Sequence, residues 1–260
     1  MSLRVAAAAA AAGVIALPSA AFAANAPASG KPAAILPAKN QVVPVIAKPL
    51  LVMPGMPGPA GSFTLRADGL LSGLVGPAAT GANATAILGL TDRLGLNLIG
   101  NYTRAAGLTG GFWNSVGVEG QYSVLQSADR AAGLSLVGAL QAPGSAGGLN
   151  LAGLRPAFGL RALTTLGPAQ TNLDAMYQPF AGRIDYGAGL VMQATQALAP
   201  SLDIVGSVPI GGAGMFSLGL APGIQFGLTQ GIRLGVGYVI PVRGAPPNAN
   251  NLIAGLQLGF

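Results

Sequence analysis

The sequence predicts an all-β chain that closes into a transmembrane, up-and-down antiparallel β-barrel of about 12 strands, behind a signal peptide and a Pro-rich linker. Three observations predict it. The first is composition. Lys+Arg number 13 and Asp+Glu 7 in 260 residues, so charged residues make up 8%, against about 25% in a soluble domain. Hydrophobic residues nevertheless reach 51%, which excludes an ordinary water-exposed surface and a disordered chain. The second is period-two alternation, which only a strand with one apolar face produces. The third is the regular alternation of short turns with Gly/Pro/Asn-rich loops, as in a barrel with turns at one rim and loops at the other.

Residues 1–23 read as a cleaved secretory signal peptide. Arg4 supplies the positive start, Ala6 to Leu17 the apolar stretch, and Ala21-Phe22-Ala23 the small-x-small cleavage site. About a dozen apolar residues are too few for a ~20-residue membrane span. Residues 24–61 read as a basic, periplasmic linker. Prolines at 27, 32, 37, 44, 49, 54, 57 and 59 block helix and sheet and favour extended chain. Lys31, Lys39 and Lys48 carry its charge, with no acid to offset them.

Residues 62–260 are the barrel. Strands are expected near 62–74, 82–91, 93–104, 111–125, 131–142, 152–164, 171–180, 184–196, 201–210, 214–228, 231–243 and 251–260. Most are 10–15 residues long, whereas a tilted bilayer-spanning strand needs ~9–11 and soluble strands average ~5–6. The pattern is clearest at the end. Every even position of 216–228, 232–242 and 252–260 is non-polar, from Phe216 and Leu218 through Leu234 and Val236 to Leu258 and Phe260. The odd positions between them are small or polar, apart from Val239 and Ile253. Strand 152–164 shifts phase around Gly153. Turns are expected at 91–93, 126–130, 165–169, 197–200 and 229–230, with loops at 75–81, 105–110, 143–151, 181–183, 211–213 and 244–250. An even strand number puts both termini on the turn side. Closed barrels and helices alone satisfy their backbone within a bilayer, and no stretch after residue 23 reads as a membrane helix.

The last strand, Asn251-Leu-Ile-Ala-Gly-Leu-Gln-Leu-Gly-Phe260, resembles the assembly signal of bacterial outer-membrane β-barrel proteins. Gly255, Leu256, Leu258 and Phe260 match it, and Ile253 departs from it, since a polar residue is usual there. The strings LGLTDRLGLNL and FGLTQGIRLGVGY look like periplasmic turns of the porin-like putative transporter group. The resemblance implies a cell outer membrane location, outer-membrane lipid around the barrel and handling by the barrel-assembly machinery. The linker's own composition allows two roles: a spacer that clears the assembly machinery, or a basic tether that meets peptidoglycan or another anionic periplasmic partner through Lys31, Lys39 and Lys48.

Enzymatic chemistry finds no support. The chain has no His and no Cys, which removes Ser-His and thiolate catalysis and the commonest metal ligands. The acids Asp68, Asp92, Glu119, Asp129, Asp174, Asp185 and Asp203 are scattered. No phosphate loop and no Lys/Arg cluster with interleaved aromatics is present, so neither a cofactor nor nucleic acid is expected. The residues expected to line the lumen are Arg66, Asp68, Glu119, Arg155, Arg161, Asp174, Asp185, Asp203 and Arg233, because a charge on the lipid face costs ~2–4 kcal/mol at mid-depth. Arg161 and Asp174 flank the 165–169 turn and should lie side by side. Glycines of the same phase, such as Gly187, Gly223, Gly235 and Gly237, are expected to leave room inside. The function expected is a narrow passive channel for small solutes with weak ion selectivity. The alternative is a structural envelope barrel with a closed lumen and a periplasmic tether. The linker is long enough to fold back and block the pore.

Overall fold

The structure, a computed structural model, describes residues 49–72, 80–104, 111–145, 148–211, 214–244 and 251–260. The signal peptide, residues 24–48 with their three lysines, and the tips of several loops lie outside the described residues. Among those described, no helix is long and apolar enough to cross a membrane.

Twelve strands form a closed antiparallel ring: β1 (Phe63–Ser72), β2 (Thr80–Gly89), β3 (Leu94–Arg104), β4 (Phe112–Gln126), β5 (Ala132–Ser145), β7 (Arg155–Leu166), β8 (Ala169–Gln178), β9 (Arg183–Met192), β10 (Leu198–Pro209), β11 (Ser217–Thr229), β12 (Ile232–Tyr238) and β14 (Asn251–Gly259). Two short strands lie off the ring. β6 (Gly148–Leu149) folds back on β5, and β13 (Ile240–Arg243) continues β12 along β11 after a break at Val239. The seam joins first strand to last, from Thr64↔Gly259 to Ser72↔Asn251. At its turn-side end the backbones of Phe63 and Phe260 exchange hydrogen bonds of 3.2 and 2.9 Å, and the two rings lie 5.7 Å apart. Among the described residues the twelve-stranded ring itself has no open edge, the requirement for a barrel in an apolar solvent.

Side chains alternate between the two faces as period two demands. On β4, Glu119, Gln121 and Ser123 are buried inside the ring while Val116, Val118 and Tyr122 are exposed outside. On β12, Arg233 points in while Leu234 and Val236 point out. The outer face is apolar, with Leu98, Leu136, Leu140, Leu160 and Leu202 also exposed on it.

All the expected strands form, with shifted ends. β9 stops at Met192 rather than 196, because Thr195 Oγ1 accepts from the N–H groups of Ala197 and Leu198 at 3.2 and 3.0 Å and turns the chain. β10 starts at Leu198, so Pro200 lies in the strand rather than the turn. It pairs with Ile224 only, since the β9 ladder begins at Ser201, and a proline is tolerated where one side needs no donor. The phase shift near Gly153 is a 3-10 turn, Leu151–Gly153, capped by the Asn150 side chain at 3.0 Å, and β7 begins only after it. β5 extends to Ser145, into the expected loop. In the turn between β4 and β5, Arg130 takes a left-handed φ of 58°. Beside it the Asp129 carboxylate accepts from Ser127 Oγ and the Ala131 N–H, which hold it below the usual carboxylate range.

Candidate functional site: the inner wall and the strap across it

The interior is not filled by the wall alone. Residues 49–60, the end of the predicted linker, form a strap that runs inside the ring. Leu50 and Val52 are each 2% exposed and Met56 is 5% exposed. The expectation of a wholly periplasmic linker over 24–61 therefore does not describe this portion. The reason is chemical: the strap contains no polar side chain, and the wall offers it both apolar seats and hydrogen-bond partners.

The strap enters at the turn rim. Gly61 donates to Gly89 O at 2.8 Å, Ala60 N reaches Asp92 Oδ1 at 3.4 Å, and Arg130 Nη2 donates to Pro57 O at 2.5 Å. Arg130 is also ion-paired with Asp92 at 3.7 Å, so one arginine ties two turns to the strap. Deeper in, Gly55 N donates to Asn172 Oδ1 at 2.9 Å, Gly55 O accepts from Ser135 Oγ at 3.0 Å, and Pro54 O accepts from Gln121 Nε2 at 3.2 Å. At the crest, Leu51 N donates to Asp203 Oδ2 at 2.7 Å. Pro49 O accepts from Arg66 Nη1 at 3.0 Å. A buried backbone must find such partners, and the prolines at 49, 54, 57 and 59 reduce the donors that need one.

The direction of the strap follows from β9. Its turn-side end is Met192; Pro49 lies against Gly189 and Val52 against Gly187, further from that end. The chain thus rises from the turn rim to a crest at 51–52 and is descending toward the same rim at Pro49. The wall glycines form its seats. A Cβ at Gly187 would stand 2.9 Å from Val52 Cγ2, and Cβ atoms at Gly223, Gly235 and Gly237 would stand 2.3–2.6 Å from the Leu50 methyls. Room left by these glycines is room taken by the strap. Leu51 packs on a small apolar cluster of Leu70, Ala221, Val239 and Ile253. This accounts for the two large apolar residues that break the polar phase of the last strands.

Six of the nine charged wall residues form local ion pairs. Arg161 is 2% exposed. It donates through Nη1 and Nη2 to both oxygens of Glu119, the second at 2.8 Å, and through Nε to Asp174 at 3.2 Å. Arg161 and Asp174 are direct partners across the β7–β8 turn, as their spacing implies, and Asn97 Nδ2 adds a bond of 2.6 Å to Glu119. Arg66 pairs with Asp68 at 2.7 Å. Asp185 pairs with Arg183 at 2.9 Å near the loop rim. Asp203 is fully buried under the strap. Arg233 Nη2 donates to Gln193 Oε1 at 3.3 Å near the turn rim. Arg155 is exposed at the loop-side end of β7. Of the terminal-strand residues, Leu256 and Leu258 lie on the outer face, Phe260 is exposed at the turn rim, and Gly255 faces Asp68.

The uncharged polar residues were the part that charge-based reading missed. Asn97, Gln121, Ser123, Ser135, Asn172 and Gln225 are all buried on the inner face, and their only sequence signal was their phase. Beyond the crest, toward the loop rim, lies a cavity of about 170 Å³ lined in part by Leu51, Val52, Asp174, Met176 and Asp185. Among the described residues there is no cluster of metal-ligating side chains.

No family model and no curated protein matches the chain by sequence. Solved structures do match in shape. The NanC porin shares 10% identity at a TM-score of 0.52, covering 76% of this chain and 98% of that one. An outer membrane channel from Pseudomonas putida F1 shares 15% identity at a TM-score of 0.52, covering 79% and 98%. The fold is thus that of a porin-like outer-membrane β-barrel. Within that class the chain is a closed, twelve-stranded ring with a segment of its own inside.

Proposed function

We propose that the chain resides in the cell outer membrane and serves as a narrow passive channel for small solutes, closed in this conformation by its own strap. One observation carries the reading: at mid-height the lumen is filled in part by a separable segment and not by side chains of the wall alone. A barrel that is only structural needs no glycine-walled, polar interior. The channel fold of the similar structures, the apolar outer face and the secretory start of the sequence support the same reading. Outer-membrane lipid would surround the outer face, and the barrel-assembly machinery would act on the strand ending in Phe260. Lys31, Lys39 and Lys48 would hold the N-terminal tail to peptidoglycan or another anionic periplasmic partner.

The alternative, a structural barrel with a closed lumen, draws its support from the strap's buried hydrogen bonds and the Arg161–Glu119–Asp174 triad. Single-channel recording and liposome swelling separate the two. The mature chain is expected to show small, infrequent openings, and a strap-displacing variant larger and more frequent ones. If both fold and neither passes current or a small uncharged solute, the structural reading replaces the channel.

A further inference from the structure

The strap's contacts define a recognition surface with its own chemistry. Every hydrogen bond described from a side chain of the barrel to the strap ends on main-chain N–H or C=O, from Arg66, Asp92, Gln121, Arg130, Ser135, Asn172 and Asp203. Such contacts read an extended backbone without reading its side chains. Selectivity comes instead from the apolar seats: Gly223, Gly235 and Gly237 for Leu50, Gly187 for Val52, and the wall beside Gly133 for Met56, whose sulfur would be 2.3 Å from a Cβ there. No strap side chain is charged.

From this we infer that the inner wall is a peptide-binding site. Its ligand class is an extended, acid-free peptide punctuated by proline and glycine that carries apolar side chains at the spacing of Leu50, Val52 and Met56, and residues 49–57 occupy it in cis. A second peptide of that class entering from the turn rim competes with the strap. The strap's own geometry favours the exchange, because residues 57–61 are held at the turn rim and the chain has turned back toward that rim at Pro49. This goes beyond the channel reading and does not depend on conduction.

The test uses the full mature chain carrying Val52→Cys, in a protein that has no natural cysteine. At 2% exposure the introduced thiol is out of reach of a bulky maleimide while the strap is seated, so labelling reports its departure. A synthetic peptide of residues 49–60 is added up to about 1 mM, the effective-concentration scale of a short tether. Labelling should accelerate several-fold, in proportion to peptide, because each bound peptide keeps the strap out. A scrambled peptide of the same composition should do much less. The Val52→Cys/Gly187→Cys protein, whose side chains lie within disulfide reach, should label in neither case once oxidised. Met56→Cys gives the same readout if position 52 does not tolerate the change. Labelling that is absent, indifferent to peptide, or equally accelerated by the scrambled peptide overturns the inference. Peptide-accelerated labelling of a barrel that never conducts would instead remove the channel reading and leave the peptide site standing.

Discussion

Replacing Gly55 with alanine should unseat the strap without touching the wall. A Cβ on residue 55 would lie 2.1 Å from Ala162 O and 2.6 Å from Leu163 N. Those atoms belong to β7, which is paired along its length with β5 and β8, so the barrier cannot yield and the strap must. Its departure there breaks the bonds from Gly55 N to Asn172 and from Ser135 to Gly55 O, each worth about 0.5–1.5 kcal/mol net. It also exposes Met56, at about 1.5–3 kcal/mol for a fully buried side chain. The seated state is then disfavoured by roughly 3–5 kcal/mol, a hundredfold to a few thousandfold in population. Heat-modifiable migration on gels should be unchanged, because the ring is intact. Single-channel recording should show longer and more frequent openings, and a thiol at position 52 should become reactive. A well-folded Gly55→Ala barrel with wild-type current and a wild-type, protected position 52 would refute the assignment of the strap as what closes the lumen.

The remaining predictions concern the wall and its assembly. Leu234→Arg places a charge on the exposed outer face and should cost ~2–4 kcal/mol near mid-membrane, seen as lost heat-modifiable folding; normal folding would reverse the assignment of faces. Deleting Phe260 removes the 5.7 Å ring contact with Phe63 at the seam as well as the terminal aromatic, so outer-membrane yield in cells should fall. An unchanged yield would count against the assembly-signal resemblance. Arg161→Ala leaves Glu119 with only Asn97 among its described partners and should destabilise by ~3–5 kcal/mol. The urea midpoint followed by Trp113 fluorescence should drop accordingly, and an unmoved midpoint would mean that water already reaches the triad.

Much of the architecture was legible because alternation is a local property. The even-numbered apolar positions of the last three long strands name the outer face directly, and the same rule aligned Arg161 with Asp174 across the β7–β8 turn, which is two residues long rather than the five expected. Ends were less legible where a side chain decides them, as Thr195 does for β9 and Asn150 for the turn before β7. The strap was legible only as proline density. Its seating depends on side-chain partners for its main chain on seven different strands and turns, and nothing in a run of Pro, Gly, Leu, Val and Met encodes them. The sole trace was indirect: Val239 and Ile253 stand in a polar phase, and their reason is Leu51, some 200 residues earlier.

That long separation sets an order of events. The strap is translated and exported before any strand, yet the Leu51–Asp203 and Gly55–Asn172 bonds span 152 and 117 residues. Its seat takes side chains or glycines from strands between β1 and β12. Contacts of such range form late, after the intervening chain is ordered. The strands that carry the seat, through β12, must therefore be in place before the strap can dock fully. A ring that closes before the strap docks would hold an open bore until the strap seats. On the channel reading proposed above, a cell making this protein quickly would carry a transient permeability proportional to its rate of synthesis.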